Sequence, residues 1–129
     1  MQDFKKLKVW QKSHALLLDI HSVAAGFPKE EMYGLTRQLK DAALSVETNL
    51  AEGSGKAGSL EFKRFVLISL GSACEIEPLL ISARDLKFLP AAAFDRLSSL
   101  CTEIRRMLFS FHRALSASSS RPPLRPPKT

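Results

Sequence analysis

NLAEGSGKAGSLEFKRF runs from Asn49 to Phe65, and its reading decides the fold. Gly53, Gly55 and Gly58, with Ser54 and Lys56 among them, have the look of a loop that cradles phosphate. A nucleotide-binding P-loop needs GxxxxGK, then Ser or Thr, after a buried strand. Here Ala57 follows Gly55 and Lys56, no glycine stands at the earlier position, and a helical pattern precedes the loop. The dinucleotide fingerprint fails for want of the same strand. Gly53 and Gly55 fall where a helix C-terminus favours left-handed backbone. Ser59 suits the N-cap of a following helix, with Glu61 in its first turn. The stretch is a connector between two helices, with Lys56 in solvent.

Outward from it, apolar residues recur at helical spacing. A first helix over about 8–26 carries Trp10, Leu17, Ile20, Ala24 and Phe27, with Val9, Leu16 and Val23 on a second apolar face. Pro28 closes it, because proline disfavours helical geometry in the residue before it. A second, about 30–53, carries Leu35, Leu39, Ala42, Val46 and Leu50. A third, about 59–87, carries Phe62, Phe65, Ser69, Ser72, Ile76, Leu79 and Ala83, with a kink expected at Pro78. A fourth, about 90–115, has the cleanest heptad: Phe94, Leu97, Cys101, Ile104, Leu108, Phe111 and Leu115. No alternating strand pattern appears. The fold class is therefore all-α, an antiparallel up-down-up-down four-helix bundle over 1–115. Residues 116–129, rich in Ser, Pro and Arg, form a tail expected to be disordered.

The chain has 129 residues, enough for one domain with a real core. No apolar run approaches the roughly 20 residues of a membrane span, and no secretory signal stands at the N-terminus, so a cytoplasmic protein is expected. Cys74 and Cys101 are too few for a disulfide framework and read as small buried apolar side chains. The net charge is +6, of which Arg121, Arg125 and Lys128 contribute three, leaving a mildly basic body.

NLAEGSGK (49–56), EFKRFVLISLGSACEIE (61–77), FKKLKVWQKSHALLLDIH (4–21) and FPKEEMYGLTRQLKDAALSV (27–46) together resemble the four-helix-bundle proteins of the 23S rRNA intervening-sequence family. The resemblance covers about residues 4 to 90 in order; 90–115 matches in pattern only, and Pro78 and the proline-rich tail depart from it. It implies a small bacterial bundle assembling as a ring-like homopentamer, with members often encoded within inserts in large-subunit ribosomal RNA genes. A more distant resemblance is to the accessory protein of diversity-generating retroelements, a basic pentameric bundle that binds a reverse transcriptase and nucleic acid.

Candidate sites follow from chemistry. His14 and His21 share a helix face, but neither has a Glu three residues earlier, so the ligand pattern of di-iron bundles is missing. His112 stands alone. Glu52, Glu61, Glu75 and Glu77 read as surface and bundle contacts, so no catalytic residue, metal, cofactor or small-molecule substrate is assigned. Asn49, Glu52 and Arg64 are expected to form a polar cluster that fixes the hairpin. For nucleic acid, Lys5, Lys6, Lys8 and Lys12 surround Phe4 and Trp10, combining phosphate-pairing charge with stacking surface. Arg105, Arg106 and Arg113 form a second set. The function expected is a non-enzymatic oligomeric binding or scaffold protein, whose partners are its own copies and RNA, DNA or a nucleic-acid-acting enzyme. The rival is a protein-only oligomeric adaptor.

Overall fold

The computed structural model describes residues 3–56 and 58–120, with side chains described through Ala117. Four helices account for most of it: α1 (Lys8–Ala24), α2 (Leu35–Ser54), α3 (Ser59–Asp85) and α4 (Ala91–Ser120). Among the described residues there is no strand. The expected tail lies outside the described residues from Arg121 onward. Its first residues, 116–120, continue α4, because serine and alanine extend a helix already formed more readily than they start one.

The helix ends differ from expectation for local reasons. A 3-10 turn at Phe4–Lys6 precedes α1, with the Asp3 carboxylate accepting the Lys5 N–H at 3.1 Å. Between Pro28 and Gly34 the chain makes a second 3-10 turn, Lys29–Glu31, where a helix start was expected. Gly34, a poor helix former, delays α2 to Leu35, and Glu31 Oε1 accepts the Leu35 N–H at 3.3 Å in place of an N-cap side chain. In the α2–α3 connector the left-handed residue is Gly58, at φ 95°, whereas Gly55 is right-handed and Gly53 is helical and buried. Gly58 is also the N-cap of α3, and Ser59 is its first residue.

The buried centre draws on all four helices: Leu16 and Ile20; Leu39, Val46 and Leu50; Val66, Ile76 and Leu80; Leu97, Cys101, Ile104 and Leu108. Each such side chain contributes roughly 1.5–3 kcal/mol on leaving water. Val9 and Leu16, expected to form a second outer face of α1, are in this core, while Trp10 and Leu17 pack at its edge. The stripe read in the sequence is thus one residue out over the first half of α1, while Ile20, Ala24 and Phe27 are buried as expected.

Contacts along the seams are ordered. Between α1 and α4, Asp19 meets Arg96 and Lys12 meets Glu103. Between α2 and α3, the Ser69 hydroxyl donates to the Val46 carbonyl at 2.8 Å, and Gly53 faces Phe62 and Phe65. Between α3 and α4, Phe62 meets Phe111 edge-on with ring centroids 5.1 Å apart, the Cys101 thiol donates to the Ala73 carbonyl at 3.4 Å, and Ser98 donates to Glu77 at 2.9 Å. Along each seam, partner numbers fall on one helix as they rise on the other. α3 runs unbroken through Pro78. By length and composition it is apolar enough for a membrane span, contrary to the sequence reading, because only Glu75 and Glu77 interrupt its central residues. One face lies against α2 and α4, and Leu60, Leu67, Ile68 and Ile81 remain exposed on the rest.

Candidate nucleic-acid interface

Lys5 and Lys6 lie in the first 3-10 turn and Lys8 opens α1, all three exposed. Lys12, one turn further on, is spent within the fold: its ammonium stands 2.6 Å from Glu103 Oε1 on α4. Trp10 is not an open platform for a base. The Phe4 ring meets it edge-on at 4.9 Å, and its indole stacks on the His14 imidazole at 5.0 Å, 7° from parallel.

His14 in turn points Nδ1 at Glu47 on α2, 2.9 and 3.2 Å from the two carboxylate oxygens. The chain Phe4–Trp10–His14–Glu47 thus ties the N-terminal turn to α2. Glu47 is only 6% exposed and went unnoticed in the sequence. The signal was there: a glutamate beside Val46 and one turn before Leu50, on the helix facing a histidine.

On α4, Arg105 is half-buried, its Nη2 donating to Glu77 Oε1 and Thr102 Oγ1 at 3.3 Å each. Its Nε is buried with no partner in the fold. Arg106 and Arg113 are exposed. Between these two lies Phe109, 55% exposed, with the Arg113 guanidinium 6.0 Å from its ring. Beside it an open groove of about 550 Å³ is lined by Leu70, Cys74, Thr102, Arg105, Arg106 and Phe109. Cys74 is exposed in this groove, contrary to expectation, while Cys101 is buried as a small apolar side chain would be. Burial pushes the Cys101 thiol up to about 11.

The structure does not bring Asn49, Glu52 and Arg64 together. Asn49 Nδ2 donates back to the Ser45 carbonyl at 2.8 Å and to Ser45 Oγ at 3.1 Å, and Ser45 Oγ lies 2.7 Å from Ser72 Oγ on α3. Arg64 stays on its own helix, 3.7 Å from Glu61 and over the Phe65 ring at 5.4 Å. Glu52 is exposed. Pairing three or four residues along a helix needs no reordering of the connector, so it wins over a reach across it. Of the other carboxylates weighed, Glu77 holds Ser98 and Arg105, and Glu75 is exposed. His21 is exposed, and among the described residues no three His, Cys, Asp or Glu side chains gather as a metal site.

The seam contacts divide the charge unevenly. One end of the molecule holds residues 3–14, 47–68 and 103–117, with ten basic and five acidic side chains. The other holds 15–46 and 69–102, with six basic and eight acidic. The ends therefore differ in sign, at +5 and −2. Fold and surface define an all-α protein of four packed helices with a cationic end. The chain belongs to the 23S rRNA-intervening sequence protein family, whose model matches residues 5–110. No curated protein matches the chain.

Proposed function

We propose that this protein is a cytoplasmic, non-enzymatic scaffold that self-associates and holds nucleic acid, RNA foremost, against its cationic end. The observation that carries the reading is the separation of charge along the molecule. Lys5, Lys6, Lys8, Arg106 and Arg113 are exposed at one end, of net charge +5, and the other end is net negative at −2. The family name gives RNA the first place among partners. The opposed numbering along the seams supports an antiparallel up-down-up-down bundle. The exposed Leu60, Leu67, Ile68 and Ile81 on α3 support self-association, since so apolar a helix face favours a protein neighbour over water. A ring-like homopentamer is the assembly proposed. Repetition of the cationic end in such a ring would multiply weak phosphate contacts.

Light scattering of the purified protein, with anisotropy of labelled RNA and DNA at low and high salt, tests both parts. The expected mass is about five times the 14.3 kDa chain. The expected affinity falls steeply with salt, and changing Lys5, Lys6 and Lys8 together to Gln lowers the log–log salt slope by roughly two to three. Nucleic-acid binding absent at low salt from a protein that still self-associates would transfer the reading to a protein-only adaptor.

A further inference from the structure

Phe109 is an exposed aromatic of the cationic end, set among its arginines, that charge does not explain. Phe94 and Phe111 on the same helix pack against the core, but Phe109 leaves more than half of its surface in water. Arg106 stands one turn before it and Arg113 one turn after, so all three share one face of α4. The two arginines are separated by about 10 Å along the helix axis and bracket the ring. The groove beside the ring has an apolar wall in Leu70, Arg105 at its edge is already paired with Glu77, and no carboxylate lines it. We infer that this face is a single-strand site, in which an unpaired base stacks on Phe109 and the flanking phosphates pair with Arg106 and Arg113. The inference rests on the nucleic-acid reading above and assigns it a place and a strand form.

The chemistry favours this occupant over others. An exposed phenyl ring offers a base its π-face without regard to sequence, and guanidinium groups pair with phosphate in a fork geometry that a lysine does not provide. A duplex keeps its bases stacked within itself and has none to lay on the ring. An acidic protein would satisfy the arginines but has no use for the open aromatic face between them.

Anisotropy with a labelled 15-nucleotide oligouridine and an RNA duplex of equal length tests the site. Phe109→Ala and Phe109→Leu should each weaken single-strand binding about tenfold, in the range measured for loss of one stacking contact. Phe109→Tyr should bind within about twofold of wild type, since the ring is kept. Arg106→Gln should lower the salt slope by about one, whereas the Phe109 variants leave the slope unchanged. Helical circular dichroism and light-scattering mass should match wild type throughout. If wild type binds in a salt-dependent way and both Phe109→Ala and Phe109→Leu bind equally well, the inference fails and the broader reading stands. If wild type binds neither probe, both fail together. Equal affinity for duplex and single strand, or a lower mass for the Phe109 variants, would overturn the site in favour of backbone-only contact or of a subunit interface.

Discussion

Where α2 meets α3, Gly53 brings the helices so close that a Cβ on it would stand 2.7 Å from Phe65 Cβ and 2.9 Å from Phe62 Cδ1. Where α1 meets α4, the visible ties are side chains reaching across: Lys12 to Glu103, and Arg96 in a two-pronged pair with Asp19 at 2.8 and 2.9 Å. The first seam joins neighbours in sequence, which the connector from Gly55 to Gly58 already holds together at small entropic cost. The second joins the first helix to the last, which no connector aligns. Exposed ion pairs add little stability, but a register slip would separate each charge from its partner, so they serve alignment more than strength. Shape therefore determines one seam and charge complementarity helps to align the other.

The sharpest way to break this contrast is at Gly53. Gly53→Ala should destabilise the protein by about 1–3 kcal/mol in urea unfolding, although alanine is the better helix former, because the new methyl has nowhere to go. Gly71→Ala, where nothing lies within 4 Å of the added carbon, should stabilise by about 0.5–1 kcal/mol. The two substitutions changing stability in the same direction would remove the close-packing argument.

Next in size is Glu47, the buried carboxylate that receives His14. Glu47→Ala should cost about 1–3 kcal/mol by the same measurement, from the lost hydrogen bond and the space left behind. It should also release the N-terminal turn, seen as a change in Trp10 fluorescence. An unchanged emission spectrum would mean that the indole is held by Phe4 and the core alone.

Thiol labelling separates the two faces of α3 and α4. At pH 8, one equivalent should react quickly, at Cys74, and the second only on unfolding. Because burial raises the Cys101 pKa to about 11, the fold excludes its thiolate. The unfolded chain loses that proton near pH 8.5–9, so stability should decline from there toward pH 11. Two equivalents reacting at one rate in the native protein would contradict the burial of Cys101.

The smallest effect belongs to the charged seam. The Arg96 side chain holds the Asp19 carboxyl below its ordinary value, through their hydrogen bonds first and their opposite charges second. A carboxylate depressed by folding gives its stability above the unfolded pKa, near 4, and loses it as pH falls through the folded value. Arg96→Gln should therefore lower Tm by about one or two degrees at pH 7 and leave it unchanged well below pH 4. An equal loss at both pH values would show that the arginine contributes by packing instead.

The contrast also marks what the sequence could reveal. Four helices were legible because apolar period is local and repeats many times, and the connector was legible because its motif failed on named residues. The reasons for individual residues were less so. Val9 and Leu16 exchanged places with Trp10 because a heptad and a 3.6-residue helix drift apart, so the phase of a stripe stays open over four turns. Gly53 was read as a cap because the phenylalanines that need its small size are across a seam. Lys12 and Arg105 were grouped with the free cations because their partners, Glu103 and Glu77, lie 91 and 28 residues away. Phe109 sits on the outer side of its helix, where an aromatic breaks no heptad and gives no sign of exposure.

The unlike ends of the molecule give it a permanent electric moment along the helices. In the field of any polyanion such a body feels a torque before it feels a contact, and it arrives with the start of α1 and the later turns of α4 leading. Orientation on approach would then be set at a distance by the whole chain, and the acidic end would be left facing outward, repelling a second molecule that came in reversed.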